Sequence, residues 1–160
     1  MMGLFGKKKE VTSINLTHID GLKGYGKGTA ISINLDDSNN CLTINARVYE
    51  KPLVHLSYEQ IIDISAIDEE KIIEKNKSTV GRALVGGILL GPLGAIVGGA
   101  SGVGTNKIRK LTYYMVINYK AQDGEIKVLS FKINGGPWPD FAWSVRHRIN
   151  KEEIPKEIYL

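Results

Sequence analysis

Twenty-two consecutive residues in the middle of this chain, Ala83 to Gly104 (ALVGGILLGPLGAIVGGASGVG), carry no charge and are mostly glycine and small or branched apolar residues. Such a segment must be buried: in a bilayer, against a second copy, or against the chain's own core. As one helix, rising about 1.5 Å per residue, it would roughly match the ~30 Å hydrocarbon layer of a membrane. Gly87, Gly91, Ala95 and Gly99 recur every four residues, and Gly94, Gly98 and Gly102 form a second row at the same spacing. On a helix each row is a groove through which another helix approaches closely enough for backbone packing. Pro92 interrupts the run, which predicts two arms, Val80 to Leu90 and Leu93 to Gly104, each too short to span alone. The expectation is a helical hairpin that enters a membrane or packs against copies of itself. The alternative is an apolar loop folded on the protein's own core, since each glycine costs a helix in water about 1 kcal/mol relative to alanine.

The flanks are basic. Lys75, Lys77 and Arg82 precede the apolar block, and Lys107, Arg109 and Lys110 follow it. Each cation near an anionic membrane surface contributes about 1 kcal/mol. Arg82, Lys107, Arg109 and Lys110 are therefore the expected headgroup contacts. Both ends of a hairpin would then return to the cytoplasmic side.

A chain of 160 residues suffices for one domain with a real core. The expected layout is a basic tail over residues 1–10 and a domain over 11–160, interrupted by an insert at 79–105. A net charge of +4 suits an anionic surface but is too sparse for a dedicated nucleic-acid binder, so no nucleic-acid partner is expected. The single cysteine, Cys41, allows no intrachain disulfide, and a cytoplasmic location at the inner membrane face is expected. The start, Met1 to Lys9, has no long apolar stretch behind its basic residues and does not read as a secretory signal.

Around the insert the chain alternates with period two. Val11 to Ile19, Ala30 to Leu35, Cys41 to Ala46, Pro52 to Leu56 and Ile61 to Ile67 read as strands, as do Leu111 to Tyr119 and Ile126 to Ile133. Polar or glycine-rich turns separate them, including Gly21 to Gly28, Asp36 to Asn40 and the tight Asp123-Gly124 turn. Tyr113 and Tyr114 should point to opposite faces of their strand. After Pro139-Asp140 the period changes, and Phe141, Trp143, Val145 and Ile149 are expected to share a helical face, with Phe141 and Trp143 in the core.

Two stretches resemble the pleckstrin-homology-like and GRAM-like superfold of bacterial proteins. One is Pro52-Leu53-Val54-His55-Leu56-Ser57-Tyr58-Glu59-Gln60-Ile61-Ile62-Asp63-Ile64, a strand, a short turn and a strand. The other is the closing pair around Tyr114 to Ile117 and Ile126 to Phe131, followed by an aromatic-rich helix. The resemblance covers roughly Ala30 to Ile149 and departs from the family at Thr79 to Thr105. It implies a mainly β (α+β) fold: an antiparallel core of two packed sheets, a C-terminal helix and the glycine-rich hairpin as an insertion. With the sparse candidate chemistry of this chain, a non-enzymatic, membrane-associated binding or scaffold module is expected.

Candidate chemistry is sparse. His18, His55 and His147 lie in different elements without ligand spacing, and Cys41, inside a strand, reads as a small buried hydrophobe. Asp68-Glu69-Glu70, with Asp63, reads as a solvated run or a partner for Lys71. Gly24-x-Gly26-x-Gly28 beside Lys23 and Lys27 lacks the ending of a phosphate-binding loop and reads as a hairpin turn. No catalytic residue, metal or cofactor is expected. The expected partner is a membrane lipid or a second copy, with the Gly87 to Gly102 residues as contacts. The alternative is a soluble homo-oligomer that binds a small anionic ligand or a protein.

Overall fold

Alternating sequence becomes strand at nearly the expected positions in the computed structural model, which describes residues 10–77, 84–85, 87–100 and 111–149. Before the insert come β1 (Ser13–Asp20), β2 (Ala30–Asp36), β3 (Cys41–Ala46), β4 (Val54–Ser57) and β5 (Ile61–Asp68), then α1 (Glu69–Lys77). The insert supplies β6 (Leu84–Val85), β7 (Ile88–Leu89) and α2 (Leu93–Ala100); β8 (Tyr113–Lys120), β9 (Ile126–Ile133) and α3 (Trp138–Ile149) follow.

Seven of these strands form one antiparallel sheet in the order β4-β3-β2-β1-β9-β8-β5. Its two edge strands, β4 and β5, are consecutive in the chain and joined by a three-residue 3-10 turn, Tyr58–Gln60. A flat sheet of seven strands would hold its edges about 29 Å apart, whereas so short a link spans no more than about 14 Å. The sheet must therefore curl until its edges meet. The two packed sheets expected from the resemblance are one continuous sheet rolled on itself. Ser57 and Gln60 form a capping box on the turn, and Gln60 Nε2 also donates to the Lys120 carbonyl at 3.1 Å, stapling the seam.

The inner face of the roll buries Leu16, Ile31, Ile33, Ile44, Ile64 and Phe131 completely or nearly so, and α3 adds Phe141 and Val145. Trp143 corrects the expectation for this helix: it is half exposed and stacks on His147 with ring centroids 5.2 Å apart. The buried positions of α3 are Phe141, Ala142, Ser144 and Val145, one residue out of step with a stripe through 143. α3 also protects the β5 edge. Arg146 donates from Nε and Nη2 to the Ile64 carbonyl at 3.0 and 2.6 Å, while Asp63 Oδ1 accepts from the Ile64 amide at 2.8 Å. Both edge-facing groups of Ile64 are thus occupied, which blunts pairing with another chain.

The outer face divides. Over β1 to β3 it is a polar lattice of Ser13, Asn15, Ser32, Asn34, Thr43 and Asn45, with Asp36 at its end. Over β8 and β9 it is apolar and covered by α1 and the insert: Ile88, Leu90, Leu93 and Val97 bury themselves against Ile19, Ile67, Ile72 and Val116. Asn118, 4 % exposed, ties the lid down; its Oδ1 accepts from the Leu89 amide at 2.7 Å and its Nδ2 donates to the Leu89 carbonyl at 2.8 Å.

The insert is therefore not the expected helical hairpin. Its first arm contains the β6–β7 pair, and α2 lies in the second. Glycine at 87 and 91 suits turns with positive φ (+83° and +58°). The unexpected α1 follows Asp68, whose Oδ1 accepts from the Lys71 amide at 2.9 Å and whose carboxylate pairs with Lys71 Nζ at 3.6 Å. Glu69 and Glu70 then occupy the first turn, where negative charge favours a helix.

Candidate functional site

One end of the roll presents two neighbouring loops, residues 21–29 between β1 and β2, and 47–53 between β3 and β4. They are joined by Tyr25, which is buried and donates its hydroxyl to the Pro52 carbonyl at 2.7 Å. Burial raises the Tyr25 phenol above its ordinary value, so this donor keeps its proton. The Arg47 amide donates to the Ala30 carbonyl at 2.9 Å and fixes where the second loop departs.

Beneath the first loop lies His18, 2 % exposed, facing inward on β1. Its Nε2 accepts from the Leu22 amide at 3.2 Å, and its Nδ1 lies 3.0 Å from the Gly26 carbonyl. Tyr25 and Phe131 set ring edges against it at 5.9 and 6.1 Å between centroids. The glycine-rich stretch is thus a turn wrapped around an imidazole, with Leu22 and Tyr25 buried and Lys23 and Lys27 pointing to solvent.

Above this base the surface is basic and apolar. Lys23, Lys27, Arg47 and Lys51 are exposed, opposed within the two loops by Glu50. Val48 and Tyr49 are 71 % and 70 % exposed, and Leu53 is 53 % exposed. Three large apolar side chains are thus exposed on the loop that carries Arg47 and Lys51, which Tyr25 ties to the loop that carries Lys23 and Lys27. Next to it a cleft of about 420 Å³ runs between β4 and the β8–β9 turn, lined by Leu22, His55, Leu56, Gln60, Tyr119 and Lys127 among others.

The sequence-predicted contacts lie elsewhere. Gly87, Gly91 and Ala95 are exposed and Gly94 is buried, all in the insert, but 87 and 91 sit in turns, so no single helix carries the first row. A side chain at Gly91 would press on Val128, 3.1 Å from its Cβ. Gly98 and Gly99 fall within α2. Gly102, Arg82, Lys107, Arg109 and Lys110 lie outside the described residues, as does the basic tail before Glu10. Cys41 is buried on the outer face, as expected of a small hydrophobe, its thiol pushed up by burial and by the neighbouring Asp36. Among the described residues no group of His, Cys, Asp and Glu has metal-site geometry. No described helix is long and apolar enough to cross a membrane. The exposed 47–53 loop was missed from sequence, although its signal is legible: two large apolar residues between Arg47 and Lys51 in a segment that does not alternate.

A rolled seven-stranded antiparallel sheet closed by a C-terminal helix is the architecture of a PH-like domain, a class built for binding. The chain belongs to the family described as glycine zipper containing PH domain, whose model matches residues 23–133. No curated protein and no solved structure matches the chain.

Proposed function

We propose that this protein is a peripheral membrane-binding module that docks on an anionic cytoplasmic face through its 21–29 and 47–53 loops. One observation carries the reading: Val48, Tyr49 and Leu53 are exposed on the loop that also carries Arg47 and Lys51, and Tyr25 ties that loop to the one that carries Lys23 and Lys27. Each cation brought near an anionic surface contributes about 1 kcal/mol. Tyr49 and its apolar neighbours add burial at the headgroup boundary.

The magnitudes favour these loops over the insert as the anchor. To enter a membrane, Ile88, Leu90, Leu93 and Val97 would leave Ile19, Ile67, Ile72 and Val116 bare, at about 1.5–3 kcal/mol for each side chain uncovered. The loops need no such rearrangement. A second reading, in which the insert joins copies of the chain, draws on the outward exposure of Gly87, Gly91 and Ala95.

Co-sedimentation with vesicles rich in phosphatidylserine tests the first reading. The wild type should pellet and lose binding as salt rises. Lys23→Glu/Lys27→Glu and Val48→Ser/Tyr49→Ser should each weaken it. Binding unaffected by both pairs sinks the loop reading. A light-scattering mass above one chain in detergent-free buffer, lost in Ala95→Arg, would support the oligomer instead.

A further inference from the structure

A neutral imidazole has one N–H and one lone pair, and the surroundings of His18 dictate which nitrogen holds which. The Leu22 amide points its hydrogen at Nε2, 3.2 Å away, so Nε2 must be the acceptor; Nδ1, 3.0 Å from the Gly26 carbonyl, must carry the proton. An imidazolium has hydrogens on both nitrogens. Its Nε2–H would face the Leu22 N–H, turning one of the bonds that fold the loop down into a repulsive contact inside a site closed by Tyr25 and Phe131.

We propose that His18 is a proton-operated latch on the 21–28 loop: the neutral ring holds the loop down, and protonation releases it. The elements packed around the ring offer the imidazolium no ion pair among the described residues. β1 contributes Asp20, the loop Lys23, Tyr25 and Lys27, and β9 Lys132. β2 has Asp36 at its far end, and the adjoining loop has Arg47, Glu50 and Lys51. Of these, Tyr25 alone is in ring contact with His18, through its ring edge. The release stays local. At the base of the loop the His18 amide still donates to the Thr29 carbonyl and the Gly28 amide to the His18 carbonyl, both at 2.8 Å and neither involving the imidazole. Within the loop, Gly24 and Gly28 at positive φ have open space around them, so the segment has room for a second conformation. This gives the Gly-x-Gly-x-Gly stretch a use apart from phosphate cradling.

The consequence for membrane binding rests on the docking reading above; the latch does not. Lys23 and Lys27 are exposed with the loop held down and ride on it when it is released, so the pH dependence of pelleting with anionic vesicles should differ between the wild type and His18→Gln.

The test is an NMR pH titration of the full-length protein, following the His18 ring nitrogens and the backbone amides. At neutral pH the ring should be the Nδ1–H tautomer. As pH is lowered, the Leu22 and Gly26 amides should shift together with the His18 ring nitrogens, while those of Ile33 and Ile44 stay in place. Protonation of His18 that leaves Leu22 and Gly26 unmoved, or that occurs only as the whole fold is lost, overturns the proposal. His18→Gln supplies an acceptor and a donor that do not titrate and should abolish the loop transition; its persistence in that variant also overturns the latch. Vesicle pelleting of both proteins at the two pH values separates the readings. A loop transition with no pelleting of either protein removes the membrane role and leaves the latch standing.

Discussion

Gly21 follows the point where β1 shifts register against β9, between His18 and Asp20, and the chain turns there with φ of +108°. A Cβ at this position would collide with the Val128 carbonyl and lie 2.9 Å from Leu129 Cδ2. Backbone conformation and space both require glycine, so Gly21→Ala should lower unfolding free energy by about 2–4 kcal/mol in a urea titration. Gly24→Ala, with open space around it, should cost less. A different residue-scale device holds α3. Arg148 donates to both Asp37 carboxylate oxygens at 2.6 and 2.8 Å and pairs with Glu10 at 2.6 Å, while the Tyr58 hydroxyl donates to Asp37 at 2.8 Å. The Arg148 and Tyr58 bonds hold the Asp37 carboxyl down at about 2. An unfolded chain's aspartate titrates near 3.9, so the clamp contributes fully above about pH 4 and is lost as pH falls toward 2. Asp37→Asn should therefore flatten the pH dependence of stability across that window. Asp37 is largely exposed, so at neutral pH Arg148→Met should cost only about 1 kcal/mol.

At the scale of elements, legibility followed exposure to water. β2 and β3 alternate because one face is wet, and they fall almost where the period-two runs put them. β8 differs: Met115 to Asn118 are all buried, because both of its faces are covered. Tyr113 packs into the inner cluster and Tyr114 against the outer one, on opposite faces as their adjacency predicts. That second apolar face was the available sign that something must cover it, and the glycine-rich insert was the available cover. The spacing of its glycines concealed this, since a row with period four reads as helix although Gly87 and Gly91 serve turns. α1 is hard to see in sequence for a related reason: Asp68-Glu69-Glu70 reads first as a charged run, although Asp68 also caps the turn ahead of Ile72. The lid makes its own prediction. In Asn118→Ala the Leu89 amide and carbonyl lose their partner, a cost of about 1–3 kcal/mol. Amide hydrogen exchange should then quicken across residues 87–97 while β1 to β3 stay protected. Equal quickening everywhere would mean that the insert is not a separable lid.

For the whole molecule, the insert decides between two kinds of protein. If residues 84–100 were an anchor appended to a finished domain, replacing them with a short polar linker should leave a well-behaved, more soluble monomer. The packing argues for the reverse. Ile67, Ile72 and Val116 are 4 %, 0 % and 0 % exposed beneath the lid, and Ile19 is 9 % exposed. Their uncovering would create a contiguous apolar patch of the kind that drives association. The deletion should therefore aggregate, or elute in size exclusion as a large assembly, rather than as a cleaner monomer. Ile67→Thr and Val116→Thr, added to the deletion, should restore part of the soluble monomer by making the bared face resemble the Ser, Thr and Asn lattice that β1 to β3 already expose. A monodisperse deletion variant without those changes would show that the lid contributes little to the domain and would return the insert to the role of anchor. If the deletion aggregates and the threonines rescue it, the insert belongs to the fold as a third layer, and its small residues serve the close fit of that layer to the sheet, as Gly91 does against Val128.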